Sequence, residues 1–173
     1  MQRSTERFKK EESGMKKQRF LARLALAAAI ALSPLPKTAF ADCYMPPVGG
    51  FATDGSLFAG TMPVTGNLIY TTSDDAPGLL NWGDAKNYCG SLHDSGHKDW
   101  RLPDKDELLL MYQHRKTGAL NGTFNKSGGP AGWYWSSSES GGGQAWVRRF
   151  SNGEENYDYE DDKSSVRCVR GAT

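Results

Sequence analysis

An α+β domain is predicted by three observations. Two stretches in the middle of the chain place residues at helical spacing on one face, Trp82/Ala85/Cys89/Leu92 and Leu108/Met111/Tyr112/Arg115. One β-rich segment precedes them, and three further short segments of strand character follow. The order strand, helix, helix, loop, then three strands is that of an α+β domain.

The elements follow in chain order. Asp42 to Gly60 contains Pro46-Pro47, Gly49-Gly50 and Gly55, and residues 42–65 read as an irregular lead-in to a domain over 66–173. Asn67 to Thr72 (NLIYTT) is β-rich and bounded by turn formers, hence a strand. Asp74-Asp75-Ala76-Pro77-Gly78 is a loop, and the Trp82 to Leu92 face defines the first helix. Asp99 to Leu108 (DWRLPDKDEL) then organises the domain. Pro103 fixes its own φ and holds Leu102 extended. Asp104 is an N-cap, and Glu107 three residues later completes an acidic capping box. The helix it opens runs from about Lys105 to Lys116 and stops near Gly118, with Trp100 expected to be buried beside the turn. Thr117 to Gly132 is Gly-rich and reads as a surface loop. Trp133 to Ser138, Gln144 to Phe150 and Ser165 to Arg170 are read as strands. Between the last two lies a polar loop, Ser151 to Ser164, with its tight turn at Asn152-Gly153.

The first 41 residues have a different character. A basic segment from Met15 to Arg23 precedes the apolar run Leu24 to Leu32, and Ala39-Phe40-Ala41 has the small-x-small form of a cleavage site. This is the layout of a secretory signal peptide over residues 1–41, with Met15 as a candidate true start. The apolar run is well short of the ~20 residues that span a bilayer, so no permanent membrane anchor is expected. Export to the periplasm or beyond is the resulting expectation.

Of the 21 Lys/Arg and 20 Asp/Glu, nine basic and three acidic residues fall in this leader, leaving a mature chain with twelve against seventeen and a net charge of −5. Such a balance argues against nucleic acid as a partner. Three cysteines remain, Cys43, Cys89 and Cys168, and an oxidising compartment would pair two of them. Three pairings are open. Cys89 with Cys168 is favoured because each sits in a patterned segment, and closing that loop would contribute roughly 4 kcal/mol in the chain-entropy picture.

Taken together, Tyr88-Cys89, Asp99-Trp100-Arg101-Leu102-Pro103 with Glu107-Leu108, Tyr134-Trp135-Ser136-Ser137, Ala145-Trp146 and Val166-Arg167-Cys168-Val169-Arg170 occur in an order that resembles the Lcl C-terminal domain family of bacterial collagen-like adhesins. The resemblance covers about Gly66 to Arg170. It implies a C-type-lectin-like fold: two helices packed on small antiparallel sheets with a long loop region. It also implies a disulfide from the first helix to the last strand, matching Cys89 with Cys168. The chain departs from the resemblance in one respect, and it also lacks the marks of a calcium-dependent lectin. No collagen-like Gly-X-Y tract precedes the domain, and the Glu-Pro-Asn, Gln-Pro-Asp and Trp-Asn-Asp motifs of calcium-dependent sugar-binding lectins do not occur.

Several residues invite chemistry. The acidic run Glu154 to Asp162 could supply oxygen ligands to calcium through Glu155, Asp158, Asp161 and Asp162, but it lacks the glycine-containing pattern of an EF-hand loop, so a solvated hairpin loop is the stronger reading and no cofactor is expected. His93 and His97 are separated by Ser95-Gly96 and read as exposed loop histidines rather than zinc ligands. Ser136 to Ser138 lack a nucleophile elbow and an assigned base. Trp135 and Trp146 are assigned to the core, and Trp133, Tyr157 and Tyr159 to a contact surface at loop edges. Arg148, Arg149, Arg167 and Arg170 are expected to pair with the acidic loop. The function expected is therefore an exported, non-catalytic binding or adhesion module contacting a glycan or protein at a cell surface. A structural component of an envelope or extracellular assembly, linked through Cys43, is the alternative, and an envelope-acting enzyme comes third.

Overall fold

The computed structural model describes residues 45–127 and 129–172. The leader, its cleavage site and Cys43 lie outside the described residues. Six strands and two helices follow in order: β1 (Leu57–Thr61), β2 (Leu68–Thr71), α1 (Trp82–Ser91), α2 (Lys105–His114), β3 (Trp133–Glu139), β4 (Gln144–Arg149), β5 (Glu155–Tyr159) and β6 (Val169–Gly171). They form two three-stranded antiparallel sheets, ordered β1-β2-β6 and β3-β4-β5. The α+β architecture with two helices on small antiparallel sheets is thus as expected.

Two stretches expected to be irregular are strands. Leu57–Thr61 lies inside the supposed lead-in, yet it pairs with β2 and is almost wholly buried. A bulge between Phe58 and Gly60 breaks its alternation, which is why it did not read as a strand. Glu155–Tyr159 lies inside the supposed polar loop and forms the outer strand of the second sheet. The expected turn at Asn152-Gly153 is present just before it. Gly153 has φ 84°, and a Cβ there would come within 2.4 Å of the Tyr112 ring, so both conformation and space call for glycine. The final strand is shorter than expected, because Ser164 to Cys168 is used differently.

The β3-β4-β5 sheet separates two cores, as the period-2 alternation of β3 requires. Tyr134 faces a cluster with Leu57, Ile69, Leu108, Met111, Leu120, Phe124 and Phe150. Its neighbour Trp135 faces the other way, into Trp82, Ala85, Cys89, Trp100, Leu102, Ala145, Val147, Val166 and Cys168. Helix α2 packs on β1, β3 and β4, whereas α1 packs on β3. At the start of α2 the Asp104 carboxylate accepts from the Asp106 and Glu107 N–H groups, and Glu107 accepts from the Asp104 N–H at 2.9 Å. Glu107 is itself buried and receives a bidentate pair of 2.6 Å bonds from Arg101, so one carboxylate both caps the helix and fixes the preceding extended segment.

The last segment ties the sheets together. Ser164 bridges to Leu80, Ser165 to Tyr134 of β3, Val169 to Arg101, and Val169–Gly171 to β2. Cys168 is bonded to Cys89 of α1, with Cα atoms 5.5 Å apart. Arg167, with a fully buried side chain, donates from Nε to Asp75 (2.7 Å) and from its terminal nitrogens to the carbonyls of Thr72, Ser73 and Thr123 (each 2.8 Å). Its guanidinium lies 4.4 Å from the Phe124 ring centroid.

Candidate functional site

The register of the second sheet decides which candidate residues share a face. Trp133, Trp135, Val147, Ala145, Asn156 and Asp158 are paired across the three strands and lie on one side, whereas Tyr134, Arg148, Trp146, Glu155, Tyr157 and Tyr159 lie on the other. The expected contact trio is therefore split: Trp133 is on the face opposite Tyr157 and Tyr159.

On the Tyr157 side, Trp146 meets Tyr157 edge to face at a centroid distance of 6.0 Å, and the Lys105 ammonium lies 5.1 Å from the indole centroid. Tyr157 and Tyr159 are 50% and 62% exposed. Trp146 is half-buried rather than a core residue, a correction that follows from its place on the open half of this face. Three aromatic side chains thus form a row along the outer two strands. The free edge of β5 is closed to further strand pairing at two points, where the Tyr157 and Tyr159 N–H groups donate to the side chains of Asn156 (2.9 Å) and Asp158 (3.1 Å).

On the Trp133 side, an open cleft of roughly 470 Å³ is lined by Leu79, Pro130, Trp133, Asp158, Asp162 and Lys163, with Gly129 and Ser164 completing it. Three connections build its rim, the loop before α1, the end of the Gly-rich loop and the β5–β6 connection, and Trp133 of β3 and Asp158 of β5 complete it from the sheet. Arg149 lies 4.4 Å from the Trp133 ring centroid and holds that indole in place. Burial, together with the neighbouring Asp162 carboxyl, pushes the Asp158 carboxyl above its ordinary range.

The four carboxylates considered for calcium do not converge. Glu155 faces the other side of the sheet and pairs with Arg148, Asp161 is exposed in the following turn, and only Asp158 and Asp162 meet. Among the described residues no group of three or more His, Cys, Asp or Glu side chains is gathered as metal ligands. The residues therefore do not fit a calcium site of six to eight oxygens built from this acidic set.

The arginines divide in the same way. Arg148 and Arg149 pair with Glu155 and Glu154 within their own hairpin, as expected. Arg167 and Arg170 do not; their partners are Asp75 and Asp54. Asp75 also accepts from the Tyr134 hydroxyl at 2.5 Å, and burial beside that carboxylate raises the Tyr134 hydroxyl far above its ordinary value. His97 is half-buried rather than exposed, its Nε2 lying 2.8 Å from Asp54; His93 is exposed. Ser136 is buried, and its hydroxyl accepts from the Ser138 N–H at 3.2 Å.

The motif residues occupy the frame that carries both faces, and a family model, the Lcl C-terminal domain, matches residues 63–170. The chain belongs to the Lcl C-terminal domain family. No curated protein matches it. In this Lcl C-terminal domain the cleft was missed from sequence because its wall residues, Leu79, Pro130, Asp162 and Lys163, belong to three loops with no shared periodicity. The signals available were Trp133, an aromatic residue at the junction of a Gly-rich loop and a strand, and Asp158 and Asp162 of the acidic run, with nothing in the sequence to bring them together.

Proposed function

We propose that this protein is an exported bacterial binding or adhesion module with a C-type-lectin-like fold and no catalytic role, contacting glycans or proteins at a cell surface. The observation that carries the reading is the row Trp146, Tyr157 and Tyr159 on the open face of the outer strands, with both tyrosines at least half exposed. Aromatic rings of this kind offer flat, rigid contact area with a polar tip, which suits reversible contact with sugars and proteins. Export is supported by the leader pattern of residues 1–41 together with the Cys89–Cys168 disulfide. Among the described residues no helix is long and apolar enough to cross a membrane. The C-type-lectin-like reading is supported by the pairing of the first helix with the residue preceding the last strand, and by the long connections before β3 and after β5.

A non-catalytic role is supported by where two of the three histidines are engaged. His97 is held by Asp54 and His114 by the Ala59 carbonyl at 2.7 Å, and among the described hydrogen bonds none joins a histidine to Ser136, Ser137 or Ser138. The test is equilibrium binding of the purified protein to intact cells and to isolated surface polysaccharide, with Tyr157→Ala/Tyr159→Ala beside the parent. Both positions are exposed, so the variant should fold as the parent does, and its binding should fall about tenfold or more. Undiminished binding by the double variant would remove this face from the reading, and chemical turnover of the polysaccharide would replace the module with an enzyme.

A further inference from the structure

We propose that the cleft on the opposite face of the sheet, between Trp133 and the Asp158/Asp162 pair, is a binding site for the uncharged ring of a neutral sugar. The inference rests on the reading of the domain as a binding module and names a ligand class and a place for it. The cleft volume, roughly 470 Å³, lies within the ~300–1,000 Å³ of small-molecule sites. Its lining is mixed in the way a polyhydroxylated ring requires. Asp158 and Asp162 present carboxylate oxygens that only accept, the natural partners of sugar hydroxyls, while Lys163 only donates. Trp133, Leu79 and Pro130 supply the apolar surface against which ring C–H groups pack. The indole is already ordered by Arg149, and the Asp158 oxygen Oδ1 by the Tyr159 N–H, so little side-chain freedom remains to be lost on binding.

Charge excludes the neighbouring ligand classes. Two carboxylates against one lysine give no cradle for sulfate, phosphate or a uronic acid. Two carboxylates are also too few for calcium, since Glu155 is drawn to Arg148 on the far face and Asp161 lies outside the cleft. An apolar ligand would leave both carboxylates desolvated without partners. A neutral ring with hydroxyl donors satisfies all three constraints.

The experiment titrates the intact protein with methyl glycosides of glucose, galactose, mannose and N-acetylglucosamine and with neutral oligosaccharides of each. Intrinsic tryptophan fluorescence and calorimetry follow the binding. At least one neutral series should bind saturably, and its sulfated counterpart should bind about tenfold more weakly or not at all. Asp158→Asn and Asp162→Asn should each weaken binding about tenfold, the scale of one hydrogen bond to a charged acceptor, with unfolding midpoints close to that of the parent. Equal affinity in both Asn variants, or preference for the sulfated series, would overturn the proposal. Failure of every neutral sugar while binding to cells persists would overturn the cleft assignment and leave the binding module standing; loss of both would overturn the two together.

Discussion

Replacing Arg167 is the most direct test of how this domain is held together. Its side chain is fully buried and makes four hydrogen bonds, to Asp75 and to the carbonyls of Thr72, Ser73 and Thr123. Arg167→Met keeps most of the volume and removes every donor. Three carbonyls would then lose a partner, at about 1–3 kcal/mol for each one left dry. Asp75 would lose its cation but keep the Tyr134 hydroxyl and partial access to water, its side chain being 23% exposed. Water reaching the Asp75 end offsets part of the loss, so the expected destabilisation is about 4 kcal/mol, within the ~3–5 kcal/mol range for breaking a buried pair. Against a total stability of about 5–15 kcal/mol, that brings the domain close to unfolding. Arg167→Lys keeps the charge but cannot reach all four acceptors from one ammonium, and should lose about half as much. The assay is urea unfolding at neutral pH with far-UV and tryptophan signals, comparing midpoints at constant m-value. If Arg167→Met falls within about 1 kcal/mol of the parent, or is more stable, the network does not stabilise the fold and the reasoning fails. A buried ionic group replaceable by a hydrophobe would then be specifying the geometry of the tie between the sheets instead.

Two further outcomes follow from the same frame. Reducing the Cys89–Cys168 bond, or replacing both residues by Ala, should cost between about 4 and 5 kcal/mol, given a sequence separation of 79; a midpoint insensitive to reductant would show that the bond is not formed in the purified protein. Asp54 gives the acid-side prediction: burial opposes its ionisation, yet hydrogen bonds from Ser56 and His97 and the charge of Arg170 hold its carboxyl below the ordinary 3.8. A depressed folded value means its contribution is present above about pH 4 and is lost as pH falls through the lower folded value. Asp54→Asn should therefore flatten the fall in stability below pH 4 while lowering stability at pH 7, and an unchanged acid limb would refute the assignment.

Most of the frame was legible because it is locally encoded. The capping box at Asp104/Glu107, the Trp82/Ala85/Cys89 face and the Tyr134-Trp135 alternation each rest on residues within a few positions of one another. The errors share a cause. β5 reads as loop in the sequence because Glu155, Asn156 and Asp158 mask a period-2 pattern whose exposed positions hold the aromatics Tyr157 and Tyr159, reversing the usual apolar-in order. For Arg167 and Arg170 the nearest acidic run is the obvious match in sequence, whereas their partners lie 92 and 116 residues away in the chain. Charge complementarity carries no distance information, and only the fold supplies it. Trp133 was grouped with Tyr157 and Tyr159 for want of a register; once β4 is placed between them, parity alone puts them on opposite faces.

The division between frame and faces bears on what family membership can say about function. Trp100, Arg101, Leu102, Glu107, Trp135, Arg167, Cys168 and Arg170 carry the resemblance, and each sits in a core, a cap or a tie between elements. Among the cleft residues, none of Leu79, Pro130, Trp133, Asp158, Asp162 and Lys163 belongs to those motifs, and neither do Tyr157 and Tyr159. The ties anchor the ends of the loops without filling their outer surfaces: Asp75 and Thr123 are gripped by Arg167, and Ser165 donates to the Ala131 carbonyl at 2.7 Å. Trp146 is the one member of the aromatic row that belongs to the motifs, so a chain built this way can change its cleft and its two exposed tyrosines while keeping the interactions that hold its sheets together. Membership of the family accordingly predicts the scaffold, and ligand choice has to be argued from the loops of each chain separately. In this chain the loops, with Trp133 of β3 and Asp158 of β5, place two acceptors, one donor and one indole around a single cleft, and that arrangement directs the search toward neutral sugars.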